Sequence, residues 1–306
     1  MRIVATITVG ARPTCLAAFN SRVWVTNSDD NSVSVIDTGT NTVAATVTVG
    51  VRPTGVVADP QTGVFVANSG EGTITVLNLD NTPKATIEIE PFAGIPLHPV
   101  GVGNLHFAAI VVVFNRDGGV AQINHGPALP AATSLFDGGD PSAFTGIARS
   151  PHGVAFGSDP HRFLYVSNPG ADSVSVFDIS AGFPRHRARI PVGLRPVGVA
   201  AHPQQPLVYV ANSKSDTVSV IHEETVIRTI DVAARPFGVA VDQHDRVWVT
   251  HDAGLVSMID AVTETVTATV EVGSRPEGVA VDAHTGHTYV VNSGEGTVSV
   301  IGPDGA

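Results

Sequence analysis

The 306-residue chain is 43% hydrophobic and only 15% charged, a balance that provides for a large core and excludes a disordered chain. Its formal net charge of −11 at pH 7 opposes docking on nucleic acid or on an anionic membrane, because the long-range field repels phosphate. A single cysteine, Cys15, excludes an internal disulfide framework, and no apolar run reaches the ~18 residues that a membrane helix needs.

The sequence enters at once on a strand pattern, Ile3-Val4-Ala5-Thr6-Ile7-Thr8-Val9-Gly10, with no charged and apolar leader before it, so a cytoplasmic location is expected. Next come Arg12-Pro13, then Trp24-Val25-Thr26-Asn27, Ser32-Val33-Ser34-Val35-Ile36 and Val43-Ala44-Ala45-Thr46-Val47-Thr48-Val49, alternating with period two. The unit then restarts. Gly50-Val51-Arg52-Pro53-Thr54-Gly55-Val56 returns as Gly193-Leu194-Arg195-Pro196-Val197-Gly198-Val199 and as Gly273-Ser274-Arg275-Pro276-Glu277-Gly278-Val279. Its prolines are Pro13, Pro53, Pro99, Pro151, Pro196, Pro236 and Pro276, at spacings of 40, 46, 52, 45, 40 and 40 residues. A period of this length with only strand signals predicts an all-β, seven-bladed β-propeller of four-stranded antiparallel blades.

Every tyrosine and tryptophan (Trp24, Tyr165, Tyr209, Trp248 and Tyr289) occupies one repeat position, as packing residues between blades would. After Val298-Ser299-Val300-Ile301 the last blade lacks an outer strand. Ile3–Gly10 matches Val266–Gly273 position by position, so the N-terminal strand is expected to complete that blade and remove its open edge. The expected organisation is one domain over residues 1–306, residues 1–10 supplying the outer strand of the blade formed by about 274–302.

The recurring Tyr-Val-Thr-Asn-like segments (Tyr165-Val166-Ser167-Asn168, Tyr209-Val210-Ala211-Asn212) and the Thr-Val-Ser-Val-Ile strands resemble the YVTN-repeat β-propellers of bacteria and archaea over essentially the whole chain. The architecture is also similar to that of virginiamycin B lyase and of lactonase-type propellers. Resemblance to the lyase implies metal and catalytic groups on Pro-His loops and on a glutamate after the second strand. Pro151-His152-Gly153 matches such a loop, Pro276-Glu277-Gly278 carries glutamate where histidine would stand, and the second strands end in asparagine or His251. The carry-over is therefore restricted to His152.

The Arg-Pro loops and the loops after the asparagines must share one face of a propeller, here called the top. Both unusual spacings enlarge top loops, over residues 91–99 and 138–152, and long loops in compact domains often carry function. Arg12, Arg52, Arg195, Arg235 and Arg275 precede the proline, whereas His98 and Ser150 replace them in two repeats. These arginines either bond local carbonyls and carboxylates or, with Arg149, form a cationic collar for an anionic ligand. Departures from the repeat gather titratable groups at His98, His152, His251 and Glu277. Such residues suit general acid–base catalysis or a divalent metal, the one cofactor they could hold; nucleotide, flavin and haem motifs are absent. His251 and Glu277 lie in adjacent blades and are expected to pair, whereas His152 lies across the ring and is expected to be too distant to join them. His161, His202, His244, His284 and His287 fall near bottom hairpins and read as solvated turn residues. Cys15 reads as a small buried residue.

Two functions compete. One is a binding propeller that holds a small molecule or peptide on its top face. The other is a metal-assisted or cofactor-independent lyase, hydrolase or isomerase acting in the same pocket. Single-stranded nucleic acid is a third, disfavoured by charge and by the lack of free aromatics for base stacking.

Overall fold

The computed structural model describes residues 1–89, 98–105, 109–114, 120–124, 133–135, 152–157, 163–180 and 185–302. Apart from His98, Pro99 and His152, both enlarged top loops lie outside the described residues, Arg149 among them.

Valine, isoleucine and threonine alternating with small residues suit a pleated surface, and every repeat of the chain forms strands accordingly. The described strands assemble into seven four-stranded antiparallel sheets. In the first, Pro13–Phe19, Arg22–Asn27, Ser32–Asp37 and Thr42–Thr48 follow one another in chain order, and the next five sheets repeat that order. In the last, Pro276–Val281, Thr288–Asn292 and Thr297–Gly302 are followed by Arg2–Thr8, with Thr6 opposite Ser299 and Ile7 opposite Val298. We number these blades 1 to 7 from Pro13. The strand that opens each sheet touches the opening strands of the neighbouring blades, and Pro13–Phe19 meets both Pro53–Asp59 and Pro276–Val281.

Apolar side chains pack between blades rather than in one central core. Leu16, Val25 and Ile36 meet Ile7, Tyr289, Val298 and Val300 across the junction of blades 1 and 7. Trp24, Val33 and Val35 meet Val56, Val64 and Leu77 across the next. Fully burying one such side chain stabilises the fold by about 1.5–3 kcal/mol. Trp24 and Tyr289 also clasp the following blade through their polar ends: Trp24 Nε1 donates to Asn81 Oδ1 at 2.9 Å, and Tyr289 Oη to Asn41 Oδ1 at 2.9 Å.

Glycine in the Pro-X-Gly-Val segment follows from close blade approach. A Cβ on Gly198 would lie 2.3 Å from the Phe237 carbonyl oxygen, and one on Gly238 only 2.2 Å from that of Glu277. At two blades a hydroxyl of the second strand also ties down the carbonyl of this position: Ser167 Oγ donates to Val197 O at 2.7 Å, and Thr250 Oγ1 to Glu277 O at 2.8 Å. The backbone of residue X is thus fixed by the preceding blade.

Candidate functional site

Each Arg-Pro turn holds its arginine in the left-handed region: φ is 50° at Arg12, 52° at Arg52, 52° at Arg195, 55° at Arg235 and 50° at Arg275. A long side chain there costs about 1–3 kcal/mol, a conformation glycine or asparagine would take at less expense. Hydrogen bonds on both sides of the residue hold the turn. Arg195 N donates to Asp172 Oδ1 at 2.7 Å and Arg235 N to Asp216 Oδ1 at 2.8 Å, while Arg195 O accepts from Ser213 N at 3.0 Å. The turn leaves the guanidinium groups exposed on the top face.

Blades 4 to 7 enclose a cavity of about 810 Å³ at this face. Its inner wall is made by consecutive X residues, His152, Val197, Phe237 and Glu277, and Arg195, Arg235 and Arg275 line it from the preceding position. Lys214, Asp216 and Asp252 complete its charged part. The His152 ring stands edge-on to Phe237, with centroids 5.2 Å apart and planes at 89°. Arg235 Nη1 lies 2.6 Å from Asp252 Oδ2. Arg275 Nη2 is 4.0 Å from Glu277 Oε1, which also accepts from Ser293 Oγ at 2.9 Å. Arg195 and Lys214 face no carboxylate within ion-pair distance among the described residues.

These surroundings set protonation. Burial, and then the Arg195 guanidinium, lower the His152 pKa to about 4. His152 is nevertheless an exposed residue, so solvent in the cavity moderates the desolvation, and the ring is a neutral imidazole at neutral pH. Glu277 is 19% exposed, and burial raises its pKa, opposed by the Ser293 hydrogen bond and then by Arg275. A neutral imidazole and a carboxyl group of raised pKa therefore face one cavity beside three guanidinium groups.

The other sequence-predicted residues lie elsewhere. His152 is not too far across the molecule to join Glu277, since both line this cavity. His251 is fully buried and does not pair with Glu277. It occupies the slot of the repeat asparagine, its Nε2 lying 2.9 Å from Ser257 Oγ as Asn27 Nδ2 lies 2.9 Å from Ser34 Oγ. The departure is a packing exchange. Gly10, Gly50 and Gly273 press on Asn27, Asn68 and Asn292 and on the acids Asp30, Glu71 and Glu295. In blade 6 Ala233 replaces the glycine, His251 the asparagine and Gly254 the acid. His98 is half-buried, and its Nδ1 lies 2.7 Å from the Ser69 carbonyl, a contact that joins blades 2 and 3. Arg12 pairs with Asp29 at 3.7 Å, and neither it nor Arg52 lines the cavity. Arg149 and His161 fall outside the described residues.

His202 is another correction, being fully buried rather than solvated. Its Nδ1 accepts from Gln204 N and Gln205 N at 3.2 and 3.1 Å, and its Nε2 donates to Asp245 Oδ1 at 2.8 Å. It does the turn-capping work that Asp59, Asp242 and Asp282 do in other blades. Half-buried Cys15 has its thiol pKa raised by burial. Among the described residues no three His, Cys, Asp or Glu side chains gather as a metal cluster. Sequence reasoning missed Lys214 and Asp216. The signal was available, since Lys214 stands where other repeats have Asp29, Gly70, Gly170, Ala253 and Gly294.

Comparison with known proteins agrees with this architecture. The profile of a family described as "Lactonase, 7-bladed beta-propeller" matches residues 111–236. No curated protein matches the sequence. Among solved structures the chain is similar to Kuenenia stuttgartiensis hydrazine synthase, with a TM-score of 0.77, 15% identity and 97% of each chain covered. It is also similar to a structure described as a streptogramin B lyase, with a TM-score of 0.79, 13% identity, and 97% of this chain and 96% of that one covered. Likeness at such identities is one of fold, and the chain is a β-propeller.

Proposed function

We propose that this chain is a single-domain, seven-bladed ring of the YVTN type, closed by its N-terminal strand, which binds a small anionic molecule in its top cavity. Pairing of Arg2–Thr8 with Thr297–Gly302, and the lactonase-profile match, support the ring. The observation that carries the binding function is the cavity wall itself: Arg195, Arg235 and Arg275 project there from turns that pay for left-handed arginine. The cavity lining carries four cationic side chains (Arg195, Lys214, Arg235 and Arg275) against three acidic ones (Asp216, Asp252 and Glu277). This local positive excess on a chain of net charge −11 favours a small anion over an extended polyanion. Its volume lies within the range of roughly 300–1,000 Å³ typical of small-molecule sites.

Calorimetric titration with acetate, citrate, sulfate and inorganic phosphate tests this, with Arg195→Gln and Arg235→Gln alongside. At least one anion should bind with unit stoichiometry, and each substitution should weaken it about tenfold, or about 1.4 kcal/mol. Absence of binding, or binding indifferent to both substitutions, would remove the proposal.

A specific observation favours a second function, acid–base catalysis in the same cavity. Neutral His152 could take a proton while Glu277, of raised pKa, gives or accepts one, as a lyase or hydrolase requires. Turnover of lactone or ester substrates that is lost in both His152→Gln and Glu277→Gln would establish it. Turnover surviving either change would exclude that residue pair.

A further inference from the structure

The distribution of charge and apolar surface within the cavity narrows the ligand class, on the premise that this cavity binds an anion. Arg235 is answered by Asp252 at 2.6 Å, and Arg275 stands 4.0 Å from Glu277. Asp216 is engaged by the backbone N–H of Arg235 at 2.8 Å. The cations left uncompensated among the described residues are Arg195 and Lys214, both on blade 5. One uncompensated pair of cations fits one carboxylate, and a guanidinium offers it a planar fork.

The wall beside this pair is apolar. Val197 follows the arginine turn directly, and Phe237 stands next to it on blade 6. His152 closes the other side, edge-on to Phe237 at 5.2 Å, and desolvation and then Arg195 favour its uncharged ring. An uncharged imidazole edge and a phenyl group make a corner that receives a flat ring by edge and face contacts, each pair worth about 0.5–1.5 kcal/mol beyond area burial. A fully hydrated ion such as phosphate would leave that corner in contact with water.

We infer that the ligand is an aromatic carboxylate, its carboxylate at Arg195 and Lys214 and its ring against Phe237 and His152.

The test uses the intact protein and follows naphthalene fluorescence, with 2-naphthylacetate, 2-naphthylacetamide, acetate and phosphate as probes. The expected result is unit-stoichiometry binding of 2-naphthylacetate at least about tenfold tighter than the amide and than acetate. Arg195→Gln, at an exposed position, should bring the acid down to the amide's affinity. Phe237→Leu should weaken 2-naphthylacetate and leave acetate unchanged, with melting curves confirming that both variants are folded. Equal binding of acid and amide overturns the inference, because the cations then contribute nothing. If acetate or phosphate binds in an Arg195-dependent way and 2-naphthylacetate binds no tighter, the aromatic class falls while anion binding stands. If no probe binds, both fall.

Discussion

His251 and His152 show how differently two departures from one repeat can be used. His251 looked functional because it alone breaks a run of asparagines, yet two compensating changes, Ala233 and Gly254, mark it as part of a packing exchange. His251→Asn should therefore keep stability within about 1 kcal/mol, whereas His251→Ala, which leaves Ser257 without its buried partner, should cost about 1–3 kcal/mol. Urea unfolding of both variants measures the difference, and similar losses would refute the exchange. His152 has no such compensation and faces the cavity. In the unfolded chain its ring takes up a proton near pH 6.5, but in the folded chain only at lower pH, towards about 4, so the native state binds fewer protons below 6.5. Its contribution is complete above pH 6.5 and is lost as pH falls towards 4. The stability difference between wild type and His152→Gln should accordingly shift against the wild type over that interval. Melting curves that run parallel from pH 7 to pH 4 would show that the ring is not held neutral. The sequence could single out His152 and Glu277 because both occupy position X; it could not show which X residues share a cavity, since that depends on the curvature of the sheet array.

At the scale of the strand and its turn, the repeat is explained by backbone contacts more than by side chains. Glycine stands two residues beyond six of the seven repeat prolines, Cys15 taking the place after Pro13, and at Gly153, Gly198 and Gly238 it is needed because the next blade's carbonyl stands against its Cα. Gly238→Ala should cost about 1–3 kcal/mol, because the obstructing atom is backbone held by Thr250 and cannot swing away. Gly286→Ala provides the contrast. Nothing lies within 4 Å of a Cβ there and only its φ of 69° is unfavourable, so a loss of about 1 kcal/mol is expected. Equal losses in denaturant unfolding would mean that blade contact is not what the glycine serves. Strands, hairpins and the packing role of Trp24 or Tyr289 were legible from period-two alternation and from the repeat. The buried work of His202 was not, because a histidine acting as a turn acceptor looks in sequence like any polar residue beside proline.

Over the whole molecule, the unusual element is the N-terminal strand, which joins the first and last parts of the chain in one sheet. Removing residues 1–9 would expose the edge of Thr297–Gly302 and strip Ile7 from the cluster it shares with Val298 and Tyr289. The shortened protein should melt at least several degrees lower and associate through the open edge. Size-exclusion chromatography and melting curves check both, and an unchanged, monomeric product would show that the strand is dispensable. Matching Ile3–Gly10 to Val266–Gly273 made this pairing readable in advance, whereas the charge balance of the cavity was not, since Asp252 and Lys214 come from segments between repeat landmarks. The carbonyl of residue X, set against a glycine of the preceding blade and at Val197 and Glu277 also bound by a hydroxyl, separates two tasks that usually compete. Assembly is written in the main chain, and the side chain at X is left open to choice. Histidine, valine, phenylalanine and glutamate already occupy that position side by side in one molecule without altering the blades that carry them. The top face is thus a keyboard on which single substitutions can rewrite chemical preference, blade by blade, while the instrument beneath stays in tune.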